Sequence, residues 1–178
     1  MKKVLTVLVT LAVMLFAVQA MAMDKLVVGT EGAYPPFNDV NENNELIGFD
    51  IDIANALCKQ MGVECEFVIQ DWDGLIPALL AKKFDCIIAS MSITDERKQK
   101  VDFTDKYYIS PGQFVAAKGA GIDVTGDLSG KIIGVQKATV HENFIRDNYG
   151  DVADVRAYET QEEANMDLVS GRLDLVFA

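Results

Sequence analysis

Arg97 carries a planar guanidinium whose fork fits a carboxylate, and it closes the run Ser90-Met91-Ser92-Ile93-Thr94-Asp95-Glu96-Arg97. Ser90 and Ser92 lie two apart at the end of an apolar run that reads as a strand. They therefore point to one side, where a hydroxyl or carbonyl oxygen can accept from an ammonium. Composition alone favours the plainer reading of a solvated arginine beside Lys98 and Lys100, preceded by ordinary turn serines. Tyr34 and Trp72 offer flat apolar walls to an alkyl stem, or fill the core as large aromatics usually do.

Catalytic and metal chemistry find weaker support. Asp50 and Asp52 flank Ile51, and Asp71 and Asp73 flank Trp72, pairs that usually cap helices or face solvent. No G-x-S-x-G or phosphate-loop run occurs, and Gly119-Ala120-Gly121 lacks the remaining glycine and helix of a dinucleotide loop, which leaves it a turn. One histidine, His141, and three cysteines, Cys58, Cys65 and Cys86, match no zinc spacing. No cofactor and no metal are expected.

The elements that must position these residues belong to a chain of 178 residues, half apolar and 24% charged, suited to one or two domains with a packed core. Its 16 Lys and Arg against 27 Asp and Glu give a net charge of -11, so no basic face faces a phosphate backbone and nucleic acid is not expected as a partner. Residues 1–22 read as a cleavable secretory signal peptide: Lys2 and Lys3, an apolar stretch from Val4 to Val18 broken only by Thr6 and Thr10, then Ala20-Met21-Ala22. The stretch is short for a bilayer span, and no cysteine near the cleavage point offers a thiol for acylation. A soluble exported product, periplasmic and not a lipoprotein, is expected.

Export bears on the cysteines. Cys58 and Cys65 flank Gly62, where a helix would end and a strand resume, and a staple there would contribute about 2–3 kcal/mol in an oxidising compartment. Two independent buried thiols are the alternative. Cys86, within Cys86-Ile87-Ile88-Ala89, reads as a small buried hydrophobe.

Lys25 to Thr30 reads as a buried strand, and Phe49, Ile53, Leu57 and Met61 as one face of a helix ending at Gly62. Val63 to Ile69 is a second strand, Asp73 can cap a helix holding Pro77 in its first turn, and Phe84 to Ala89 is a third strand. The polar segment from Asn38 to Glu45 reads as a surface loop. The pattern then returns: Leu79 to Ala89 parallels Leu168 to Ala178, Lys25 to Gly29 parallels Lys131 to Val135, and Val63 to Asp73 has a counterpart in Val152 to Gln161. Alternating strands and helices, twice, predict two α/β lobes joined near Ser110 to Lys118, with a ligand site between their strand carboxyl ends. The second copy stops at Ala178, so the chain looks cut, with Leu175 to Phe177 expected as an exposed apolar edge.

The motifs Gly29-Thr30-Glu31-Gly32-Ala33-Tyr34-Pro35-Pro36-Phe37, Gly48-Phe49-Asp50-Ile51-Asp52, Ile88 to Arg97, and Val101-Asp102-Phe103-Thr104 follow one another in order. Together they resemble the periplasmic amino-acid-binding proteins of ABC importers, family 3 of the solute-binding proteins, and most closely the lysine/arginine/ornithine and histidine binders. The resemblance runs from Lys25 to Ala178. It implies an α/β, two-lobed periplasmic-binding-protein type II fold with parallel-rich sheets and an interlobe cleft. Residues 23–113 would form lobe 1 and 114–178 a partial lobe 2, with the segment that returns to lobe 1 absent. The family's paired cysteines fall on Cys58 and Cys65.

The resemblance also implies roles. Arg97 would hold a ligand carboxylate, assisted by the backbone N–H of Ser92, while Ser90 and Ser92 accept from its ammonium and Tyr34 and Trp72 wall its stem. Glu31 stands where the basic-amino-acid branch carries an aspartate facing the cationic end, which favours arginine, lysine, ornithine or histidine over apolar ligands. The loop Gly134 to His141 would offer backbone N–H groups at a helix start, with Val140 replacing the family's usual threonine and His141 at a polar position. The expected function is a monomeric exported receptor that delivers an amino acid to an ABC permease of the inner membrane. The alternatives are a periplasmic cyclohexadienyl or arogenate dehydratase on the same fold, and a nonfunctional receptor fragment.

Overall fold

The computed structural model describes residues 24–178, so the expected signal peptide lies outside the described residues. The first half runs β1 (Lys25–Thr30), β2 (Ala33–Tyr34), β3 (Asn38–Val40), β4 (Leu46–Ile47), α1 (Phe49–Met61), β5 (Glu64–Ile69), a 3-10 turn (Trp72–Gly74), α2 (Leu75–Leu80), β6 (Cys86–Ile87) and α3 (Asp95–Lys98). The second runs β7 (Phe114–Ala116), β8 (Ile132–Gln136), α4 (Val140–Tyr149), β9 (Asp154–Tyr158), α5 (Gln161–Val169) and β10 (Leu175–Phe177). Strand order is β5-β1-β6 in one sheet and β7-β10-β8-β9 in the other, all parallel except β7, with β2-β3-β4 forming a small antiparallel sheet. This is the expected α/β architecture.

The two main sheets are built alike. Asp85, entering β6, accepts from Val27 N–H at 2.8 Å and returns its own N–H to Val27 O at 2.8 Å. Asp174, entering β10, does the same to Ile132, at 2.8 and 2.9 Å. A Cβ on Gly29 would collide with the Phe84 ring, and one on Gly134 with Leu173. These pairs align Val27 with Ile132 and Gly29 with Gly134, one residue away from the alignment of Lys25 with Lys131 expected from sequence. In a strand that single step exchanges the faces.

Helix α1 departs from its predicted face. Its buried residues are Asp50, Ile51, Ala54 and Cys58, whereas Phe49, Leu57 and Met61 are 40 to 54% exposed. Each i+4 step rotates about 40° beyond a full turn, so a row of four such residues winds off any one face. The set Ile51, Ala54, Cys58, spaced three and four, stays on it. Gly62, at φ 73°, ends the helix in the left-handed region, and Val63 N–H reaches back to Cys58 O at 3.0 Å. Cys58 and Cys65 then form a disulfide with their Cα atoms 5.8 Å apart.

Other expectations shift. Asp73 does not cap α2, whose N-cap is Gly74, and instead pairs with Lys137. The strand over Phe84–Ala89 is shortened to Cys86–Ile87, and Cys86 is half-buried rather than buried. The polar segment after Phe37 holds β3, and Asn38 is fully buried. Leu175–Phe177 is no edge: β10 lies between β7 and β8, with all three residues buried. Chain reversal places Phe114–Ala116 alongside it, which covers the edge that the parallel repeat alone would leave open. Among the described residues no helix is long and apolar enough to cross a membrane.

Candidate functional site

All eight nominated residues, Glu31, Tyr34, Trp72, Ser90, Ser92, Arg97, Val140 and His141, border one cavity of about 390 Å3 that opens to solvent. They arrive from the residue after β1, from β2, from the turns after β5 and β6, and from the starts of α3 and α4. Ala89, Gln136, Thr139 and Gln161 complete the lining.

Arg97 is placed by α3, a single turn capped by Thr94, whose hydroxyl accepts from Arg97 N–H at 3.2 Å. The guanidinium lies over the Trp72 ring, 5.2 Å from its centroid, and donates to Ser92 O at 2.8 Å and Ala138 O at 3.3 Å. Burial lowers its pKa while Glu96 pulls the other way. Among the described residues no carboxylate comes within 4 Å of it. Trp72 Nε1 also donates to Ala138 O, at 3.0 Å, so the carbonyl of Ala138, itself at φ 56°, receives two donors from the facing lobe.

Glu31 follows β1 and is only 6% exposed. Burial pushes its carboxyl up to about 7, with the Gln136 hydrogen bond opposing and Asp71 adding to the rise. Gln136 Nε2 donates to Glu31 Oε1 at 2.5 Å and to Glu159 O at 3.1 Å. No cation pairs with Glu31 among the described residues. A neighbouring space of about 300 Å3 shares Glu31 and Trp72 and is lined by Asp71, Asp73, Lys137 and Glu159, where Lys137 Nζ bridges Asp73 at 2.8 Å and Glu159 at 2.5 Å.

On the second lobe, Thr139 caps α4: its hydroxyl accepts from Glu142 N–H at 3.1 Å and donates to Gln136 O at 2.7 Å. The amides of Val140 and His141, first in the helix, have no intrahelical acceptor and lie at its positive end. His141 packs edge-on against Phe177 at 5.5 Å, and burial, then Arg97, draw its pKa down, so the imidazole is neutral near pH 7.

Ser90 is held at φ 52°. Its N–H donates to Tyr107 Oη at 3.1 Å and its hydroxyl to Asp50 Oδ2 at 2.9 Å. Tyr34 stacks on Phe37 at 5.3 Å, and Phe37 on Tyr108 at 5.2 Å. Sequence reasoning missed Gln136, Thr139, Gln161 and Asp50. For Gln136 the signal is present: once Gly29 and Gly134 are matched, Glu31 falls on Gln136.

The model for the bacterial extracellular solute-binding proteins, family 3, matches residues 26–177. An L-arginine-binding protein of Pseudomonas aeruginosa is 48% identical across the whole chain, which spans 70% of that relative's length. Among solved structures, an ancestral arginine-binding protein bound to arginine superposes with a TM-score of 0.82 at 41% identity, covering 88% of this chain and 70% of that one. The ancestral amino acid-binding protein AncCDT-1, a precursor of cyclohexadienyl dehydratase, superposes with a TM-score of 0.83 at 39% identity, covering 87% and 70%.

Proposed function

The chain belongs to the bacterial extracellular solute-binding proteins, family 3, and from that membership we propose that it is an exported receptor that captures a basic amino acid between its lobes for an ABC permease. One observation carries this reading. The cavity holds a guanidinium, Arg97, that meets no carboxylate, and a buried carboxyl, Glu31, that meets no cation among the described residues. A ligand with an acid at one end and a cation at the other compensates both.

In this arrangement Arg97 takes the ligand carboxylate, joined by the amides at Ser92 and Val140, and Ser90 and Ser92 accept from the ammonium. Tyr34 and Trp72 enclose the stem, Glu31 meets the cationic end and His141 lines the acid end as a neutral imidazole. Residues 23–113 act as one lobe and 114–178 as the other. Closure follows because the ligand touches both, which gives the closed state its added affinity. The receptor works as a periplasmic monomer, freed by cleavage of residues 1–22 and carrying no lipid. The relative named for arginine supports the basic class.

A second reading, a cyclohexadienyl or arogenate dehydratase, draws on Glu31 as well, since a carboxyl titrating at about 7 can donate a proton at neutral pH. Calorimetric titration with arginine, lysine, ornithine, histidine and glutamine, beside incubation with prephenate and arogenate, separates them. The receptor reading expects a basic ligand bound at least tenfold tighter than glutamine and no turnover. Equal binding of glutamine removes the role given to Glu31, product formation establishes the enzyme, and no binding at all leaves the fragment.

A further inference from the structure

Asp50 is fully buried in the first turn of α1, and no part of the proposed binding scheme uses it. Its carboxylate collects three donors: Asn38 Nδ2 at 2.8 Å and Ser90 Oγ at 2.9 Å on Oδ2, and Tyr107 Oη at 2.8 Å on Oδ1. Asn38 Oδ1 in turn accepts from Gly32 N–H at 2.8 Å, beside Glu31. Tyr107 also accepts from Ser90 N–H, so both polar hydrogens of Ser90 are committed to this network, and its backbone is held at φ 52°, which a serine seldom adopts.

A hydroxyl has one hydrogen and two lone pairs. With the hydrogen drawn to Asp50, Ser90 has only acceptor capacity left for the cavity it borders. We propose that Asp50 is a positioning residue that fixes Ser90 as a hydrogen-bond acceptor, and that the pair thereby selects ligands bearing a donor, an ammonium, beside the carboxylate. The inference rests on the amino-acid reading of the cavity and adds to it the group that makes the ammonium distinguishable.

The test exchanges the two buried side chains, Asn38→Asp with Asp50→Asn, in the full chain. The exchange conserves charge and volume and keeps a partner for Gly32 and Tyr107, but turns the bond at Ser90 around: the new amide donates to Ser90 Oγ and frees its hydrogen toward the cavity. L-arginine and 5-guanidinopentanoate, which lacks the ammonium and is otherwise the same molecule, are titrated against both proteins. The expected result is an arginine to 5-guanidinopentanoate affinity ratio at least about tenfold lower in the exchange variant. A purely structural role lowers both affinities together, and an unchanged ratio overturns the proposal. If the exchange variant does not fold, Ser90→Ala is read the same way, a lower ratio supporting the proposal and an unchanged one overturning it. Failure of the unaltered protein to bind either compound instead overturns the amino-acid reading, and this inference with it.

Discussion

Gln136 Nε2 donates to Glu31 Oε1 at 2.5 Å, and the two residues hold equivalent places in the two halves, each two positions beyond the glycine of its central strand. The contact joins the two halves at a carboxyl whose charge burial disfavours.

That carboxyl titrates at about 7 because burial disfavours its charge, against 4.5 for an ordinary glutamate. A bound cationic side chain favours the carboxylate, so capture between pH 5 and 7 releases a proton. Affinity for arginine should fall as pH drops below 7, by up to about tenfold per unit, while glutamine stays level. Calorimetry in two buffers of different ionisation enthalpy reads the proton directly. For stability the sign is opposite to that of a salt-bridged acid: the contribution is full below 4.5 and lost as pH rises through about 7. Glu31→Gln should therefore raise stability at pH 8 by roughly 1–3 kcal/mol and change little at pH 4, as urea unfolding at the two pH values would record.

Arg97→Met should weaken arginine binding by about 100-fold or more, since it leaves a ligand carboxylate without its fork in a partly buried site. Arg97→Lys should recover only part of the loss, because an ammonium cannot span Ser92 O and Ala138 O while facing a carboxylate. Titration of both variants beside the parent decides this, and an unaltered Kd in Arg97→Met would contradict the assigned role.

Lys137 links lobes through Asp73 at 2.8 Å, at a place still reached by water. Asp73→Asn should raise Kd by only about twofold to fivefold at low salt and by less at 0.5 M salt. The change should appear as a faster off-rate in stopped-flow fluorescence of Trp72, which touches Ala138 across the same gap.

Replacing Cys58 and Cys65 by alanine should cost about 2–3 kcal/mol and lower Tm by roughly 5–10 °C. Ligand affinity should hold, since Cys65 is the second residue of β5 and the cavity lies beyond that strand's far end. Scanning calorimetry with and without arginine tests both halves of this expectation.

The site was legible in sequence to the extent that it sits in short contiguous runs. Glu31 to Tyr34 and Ser90 to Arg97 each bring their groups to one place through a single turn, so order along the chain maps onto the cavity. Asp50 was not legible, because an aspartate in a first helical turn looks solvated until Asn38, Ser90 and Tyr107 converge on it from 12, 40 and 57 residues away. Gln136 was hidden by the one-residue slip between the two copies, and the face of α1 by a row that appears regular in sequence yet turns about the axis. The placement of β10 needed the antiparallel return of β7, a long-range pairing that local pattern does not encode.

The reciprocal bonds of Asp85 with Val27 and of Asp174 with Ile132 lie wholly within their own halves. Each sheet thus keeps its phase by an internal pin, and among the described residues no ladder runs from one to the other. On the proposed receptor reading, jaws swinging apart to admit cargo would break only a handful of contacts at the lips, and the strand pairing of both jaws would travel unbroken.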